Sequence, residues 1–243
     1  MLVGCRCRGT KNSDKIMENS TKYSEWIIKI IKENVHSYNN ALDIFSNINY
    51  RHAGIIKDYF KNIDAVDQRF PESGKIGNIS LIKGKADKIQ YKDEYDIILF
   101  AWPEMLFYKY FFDEIVKIRN RLSKDGKIIF IYKENKIEKA EDEFTLLLEK
   151  LMLIDDEQPV CQENEAKKIF EDNNFKMDNE YQIYLEDYKE IVPAKINFTM
   201  INDYKNKEFT ETEKVRIKEL SQTIKTKNTG WIKALVFENG NCN

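Results

Sequence analysis

Glycine is scarce in this chain, nine in 243 residues, and no G-x-G-x-x-G occurs anywhere. That removes the tight turn which dinucleotide-binding dehydrogenases set against a pyrophosphate. Cysteine is scarcer still: Cys5, Cys7, Cys161 and Cys242 do not make a disulfide framework for a chain of this length. Cys5 and Cys7 have no histidine beside them and fall short of a tetrahedral metal site, so no metal is expected. No apolar run approaches the roughly 20 residues of a transmembrane helix or the shorter core of a signal peptide, and the cytoplasm is the expected compartment. Charge of one sign is missing as well. The 39 basic and 41 acidic residues leave a net −2, so no global field draws the chain to nucleic acid or to an anionic membrane; the lysine-rich stretches 29–32 and 214–227 are local exceptions.

What is present is a strongly patterned centre. In Tyr95 to Glu134, Ile97-Ile98-Leu99-Phe100 is a continuous apolar run, too continuous for a half-exposed strand and suited to a parallel sheet buried on both faces. After Trp102-Pro103, the residues Tyr108, Phe111, Ile115, Ile118 and Leu122 fall three or four apart, the spacing of one helix face. Ser123-Lys124-Asp125-Gly126 then supplies a turn, and Ile128-Ile129-Phe130-Ile131 a second buried strand. Strand, crossover helix and strand make a right-handed βαβ unit, which implies an α/β domain with helices on both sheet faces. Such sheets bind ligands beyond the carboxyl ends of their strands.

Upstream, residues 1–19 carry no legible period and are expected to form a tail, with Met17 as a candidate functional start. Tyr23, Trp26, Ile27, Ile30 and Ile31 line one face of a helix reaching about Asn34. Ala41 to Phe45 is a short buried strand. A polar turn follows, then a helix of about ten residues ending near Phe60, and a strand over Asn62–Asp67 that closes on an acid.

The succession ALDIF, turn, helix, NIDAVD, QRFPES, ISLIKGKADKIQY and YDIILFAW resembles the class I, Rossmann-like, S-adenosylmethionine-dependent methyltransferases over roughly residues 20–237. The resemblance implies a doubly wound α/β fold with a seven-stranded, mostly parallel sheet in the order 3-2-1-4-5-7-6, its last strand antiparallel. It implies S-adenosylmethionine as cofactor, with Asp43 closing the first strand near the methionine part. Asp67 would accept from both ribose hydroxyls, a task suited to a two-oxygen acceptor. Ala86 and Asp87 would lie beside the adenine, and Phe100, Ala101 and Trp102 would follow the fourth strand where cofactor and substrate meet. The chain departs from the family at two places. Phe45, Asn47 and Asn49 stand where a glycine-rich turn is usual, and Lys85 stands where an acid is usual, with Asp87 two positions later. Asparagine tolerates a left-handed backbone, so the turn can form, but side chains now occupy the space through which a backbone approaches a ligand. Two readings follow: a divergent methyltransferase acting on a small molecule or peptide, and an inactive methyltransferase-like binding partner of another enzyme.

The remainder of the chain reads as follows. Ala140, Phe144, Leu147 and Leu151 form a helical stripe, and Asp155-Asp156-Glu157 a solvated loop. A helix over Glu163–Asn174 has Ala166, Ile169 and Phe170 inward, and a strand covers Phe175–Asp187. Residues 188–209 hold Tyr188, Phe198, Tyr204 and Phe209 without a clear period, and with the next helix make 188–228 a candidate lid inside the single domain 20–237. The capping box Thr210-x-x-Glu213 starts a helix bearing Ile217, Leu220 and Ile224; Gly230 stops it, Trp231–Phe237 is the final strand, and 238–243 is a polar tail. Methyl transfer asks the protein chiefly to position a nucleophile. An oxygen or nitrogen nucleophile also needs a base. Glu104 is one candidate, although its place also suits a helix N-terminal carboxylate. His52, in the turn after the first strand, is the other, with packing as its alternative role.

Overall fold

A computed structural model describes residues 11–46, 48–85, 88–92, 94–101, 118–134, 136–144, 147, 163–185, 210–223 and 230–240, with backbone alone at 11–20, 133, 163–166 and 221–223. The expected positions Cys5, Cys7, Asn47, Ala86, Asp87, Trp102, Glu104, Tyr108, Phe111, Ile115, Leu151, Asp155–Glu157, Ile224 and the stretch 188–209 lie outside the described residues.

Helix α1 spans Lys11–Asn34. It starts ten residues before its apolar period becomes legible, so residues 11–19, expected as tail, are its first turns. The stripe itself is as expected, with Tyr23, Trp26, Ile27, Ile30 and Ile31 all buried. Strands β1 (Asn40–Ile44), β2 (Asn62–Asp67), β5 (Tyr95–Ala101) and β6 (Leu122–Lys133) contain the runs that placed strands, β4 (Ile79–Lys83) covers the ISLIK of the succession that carries the resemblance, and α2 covers Arg51–Ile56. A short β3 (Gly74–Ile76) was not anticipated, because three exposed residues carry no burial pattern. The chain continues with α3 (Glu163–Asp172), β7 (Phe175–Leu185), α4 (Glu211–Thr223) and β8 (Gly230–Asn239), the last running two residues into the expected polar tail.

One eight-stranded sheet results, in the order β3-β4-β2-β1-β5-β6-β8-β7. Removing the extra edge strand β3 leaves the expected seven-strand order. The β1–β2, β1–β5, β2–β4 and β5–β6 pairs are parallel, and β8 runs antiparallel to β6, as expected for the last strand. All seven residues of β5 are buried, which is why its sequence shows no alternation.

Two local expectations near β6 are overturned. Leu122 pairs with Tyr95 in the sheet instead of ending a helix, and the register then jumps to Ile97↔Lys127. Ser123–Gly126 is therefore an irregularity within β6, where five residues of β6 span two of β5, and not a free turn. A Cβ at Gly126 would stand 2.9 Å from both the Leu122 side chain and Ser123 Oγ, so a larger residue there would displace them. Similarly, α2 is shorter than the expected ten residues, with turn structure from Lys57 to Tyr59.

By contacts the chain groups into two compact units: residues 26–135, 153–183 and 231–243 in the larger, and 1–25, 136–152 and 184–230 in the smaller. In the larger, Leu42, Ile44, Val66, Ile98, Phe100, Ile128, Phe130, Leu235 and Phe237 build one apolar cluster. Phe170 of α3 caps it, its ring stacked on Phe237 at 4.2 Å and edge-on to Phe130 at 5.6 Å. The end of α1 is tied to β7 by Asn34, which donates to Tyr181 Oη at 2.8 Å and accepts from Asn179 at 2.6 Å. In the smaller unit, Phe144, Ile217 and Leu220 are buried, whereas Ala140, expected on the same stripe as Phe144, is exposed. The capping box of α4 forms as its sequence implies: Thr210 N–H donates to Glu213 Oε2 at 2.8 Å and Glu213 N–H to Thr210 Oγ1 at 3.2 Å. No helix among the described residues is long and apolar enough to cross a membrane.

Candidate functional site

Sequence-consecutive strands proceed outward from β1 to β2 and β4 on one side, and from β5 to β6 on the other. Strand order reverses between β1 and β5, the place at whose carboxyl ends sheets of this kind hold ligands. Asp43, Phe45 and Ser46 from β1 and its turn, Asp67 from β2, Arg69 from the turn after it, and Ala101 from β5 are among the described residues at that end.

Asp43 is completely buried. Its Oδ2 accepts from Ser46 Oγ at 2.5 Å and from the Ala53 N–H at 3.0 Å, which ties the turn after β1 to the start of α2. Its Oδ1 is buried and has no hydrogen-bond partner among the described residues. Burial, with a smaller push from the charge of Asp67, raises this carboxyl from 3.8 to about 7 despite the two hydrogen bonds. The turn is built without its customary glycines: Phe45 takes φ 60° and Tyr50 φ 36°, left-handed conformations that cost a non-glycine residue about 1 kcal/mol or more each. That cost is offset by anchoring. Ser46 N–H donates to Val66 O at 3.1 Å, and Phe45 packs its ring against the cluster containing Val66 and Phe100.

His52, on α2, is 4% exposed. Burial, and then the neighbouring Arg51 charge, pulls its imidazole from 6.5 down to about 3, so it is neutral at physiological pH. Asp67 closes β2 and is 3% exposed. Its Oδ1 accepts from the Arg69 backbone N–H at 2.8 Å and from Arg69 Nε at 2.9 Å, and its Oδ2 from Arg69 Nη2 at 2.8 Å. This fork holds the guanidinium above its ordinary pKa, the hydrogen bonds outweighing partial burial.

The structure thus brings Asp43, Phe45 and Asp67 of the expected set to one end of the sheet. Phe100 differs: it lies inside β5, which continues to Ala101, and its ring is fully buried in the core. Ser46 and Arg69 were missed. Their signal was short spacing: a hydroxyl three residues after the first acid and a cation two residues after the second.

No protein-family model and no curated sequence matches the chain. Solved structures do. A candidate sarcosine dimethylglycine methyltransferase from Galdieria sulphuraria superimposes with a TM-score of 0.56 at 11% identity over 95% of this chain and 91% of that one. A candidate methyltransferase from Bacillus halodurans gives 0.55 at 10% identity over 88% and 98%. A SAM-dependent methyltransferase from Leishmania major gives 0.52 at 10% identity over 91% and 73%. The chain has the class I methyltransferase fold.

Within that fold, Asp43 Oδ1 is a buried acceptor without a donor among the described residues, and the Asp67 carboxylate closes β2. Phe45 fills space that a glycine would leave open, although its ring turns onto the core cluster.

Proposed function

We propose that this chain binds S-adenosylmethionine at the carboxyl ends of β1, β2 and β5 and transfers its methyl group to an oxygen or nitrogen of a small molecule or peptide. The observation that carries this reading is the buried Asp67 carboxylate at the end of β2, a two-oxygen acceptor for a vicinal diol in the crevice where such sheets hold ligands. The cofactor would supply an already electrophilic methyl carbon. The chain's own task is then to hold the ribose with Asp67, to keep the β1 turn in shape through Asp43 and Ser46, and to place the nucleophile. Of the two candidate bases, His52 at a pKa of about 3 is too weak to take a proton near neutral pH, so Glu104 carries that role in this reading.

A second reading, a binding module without catalysis, is favoured by one observation. The acceptor that should meet the ribose already holds Arg69. Calorimetric titration of S-adenosylmethionine into wild type and Asp67→Ala separates the two. Binding by wild type, weakened about tenfold or more in the variant by loss of charge-assisted hydrogen bonds, supports the transferase. Absence of binding to folded wild type leaves the module.

A further inference from the structure

The Asp67 carboxylate is the acceptor of the proposed site and is also the partner of Arg69. A carboxylate offers about four lone-pair positions. Oδ1 spends two on the Arg69 N–H and Nε, and Oδ2 at least one on Nη2. At most about one remains, while a ribose diol brings two donors. Diol and guanidinium cannot both be satisfied by this group.

We infer that Arg69 is a gate on the ligand site: its side chain closes the Asp67 carboxylate in the free protein and must swing away before a ribose diol can bind. This rests on the reading of Asp67 as the ribose acceptor and adds the residue that sets its affinity. The two partners differ in freedom. The Asp67 side chain is 2% exposed and that of Arg69 46%, so the arginine is the one that moves, its head passing into water on a flexible stem. The backbone N–H of Arg69 stays behind and keeps one bond to Oδ1. An ion pair with one half-exposed partner is weakened by salt. Salt therefore opens the gate, and a neutral diol ligand binds more tightly as ionic strength rises, the reverse of ordinary electrostatic binding.

The probe is adenosine, which carries the diol and no charge, titrated calorimetrically into wild type and Arg69→Met at low and moderate ionic strength. The full chain is used, with a thermal melt confirming that each protein is folded. The expected result is about tenfold tighter binding to Arg69→Met at low salt, affinity that rises with salt in wild type and is flat in the variant, and a smaller difference between the proteins for 2′-deoxyadenosine, which brings one donor fewer. Should Arg69→Met fail to fold, Arg69→Lys, which cannot fork, and the wild-type salt series decide the matter by the same signs. Equal or weaker adenosine binding to the variant, while wild type binds, overturns the gate and leaves the ribose site standing. If neither protein binds adenosine or S-adenosylmethionine, the ribose site itself is wrong and the gate goes with it.

Discussion

Arg69 and Asp67 are two residues apart in the chain and face to face in space, with Nε and Nη2 at 2.9 and 2.8 Å from the two oxygens of one carboxylate. The acid is buried and the base is half in water. A sequence motif that reads as a ligand-binding acid is, in the folded protein, an acid with an internal occupant.

This pair also has a stability consequence. A double-mutant cycle on Asp67→Asn and Arg69→Met, followed by urea denaturation, is expected to give a coupling of about 1 kcal/mol, reduced from the value of a buried fork because the guanidinium is screened by solvent. A coupling indistinguishable from zero would mean that the fork does not persist in solution.

Asp43 makes stability depend on pH in an unusual direction. Its carboxyl is raised from 3.8 to about 7. Between these values the unfolded chain has lost the proton and the folded chain keeps it, so stability falls as pH rises from about 4 to 7 and levels off above. Asp43→Asn keeps an acceptor for Ser46 and Ala53 and removes the titration. The unfolding free energy of the variant relative to wild type, followed by thermal or urea denaturation, is expected to climb across that window by on the order of a few kcal/mol. A difference that does not change with pH would refute it.

His52 behaves oppositely. Its folded pKa is depressed to about 3 from 6.5, so its neutral, buried form favours folding above about 6.5, and this contribution fades as pH falls toward 3. The imidazole Cε1–H resonance is expected to stay constant from pH 8 to pH 5, conditions set by the ordinary histidine range. Titration of that resonance near 6.5 would show the side chain to be solvated.

Phe170 is the keystone of α3 against the sheet, stacked on Phe237 and edge-on to Phe130 and Phe175. Phe170→Ala is expected to cost about 3–5 kcal/mol, read as a lowered urea midpoint with little change in slope. A loss below about 1 kcal/mol would show that α3 can leave without disturbing the core.

β1, β2 and β5 were legible because burial on both faces demands apolar residues without alternation, a demand a linear sequence displays directly: ALDI, NIDAVD and YDIILFA lie where their composition placed strands, whereas ISLIK, only partly buried, entered through the family resemblance. The strand order and the antiparallel last strand came from the family resemblance, and connection rules fixed only the parallel βαβ unit at its centre. Three things were not legible. The start of α1 at Lys11 lacks an apolar stripe to announce it. β3, exposed at all three positions, owes its conformation to hydrogen bonds from β4 and not to its own residues. The irregularity at Ser123–Gly126 uses turn-forming residues inside a sheet.

The site divides along the same line. The family resemblance nominated Asp43 and Asp67, and chain order alone is enough to bring both to one end of a parallel sheet. Folding settled the rest. Whether an acid is protonated depends on how much water the surrounding atoms exclude, which made Asp43 a carboxyl of pKa about 7. Which donor occupies an acceptor depends on distances of a few ångströms, which gave Asp67 to Arg69. Burial and short-range geometry are properties of the packed chain, and no residue's name contains them.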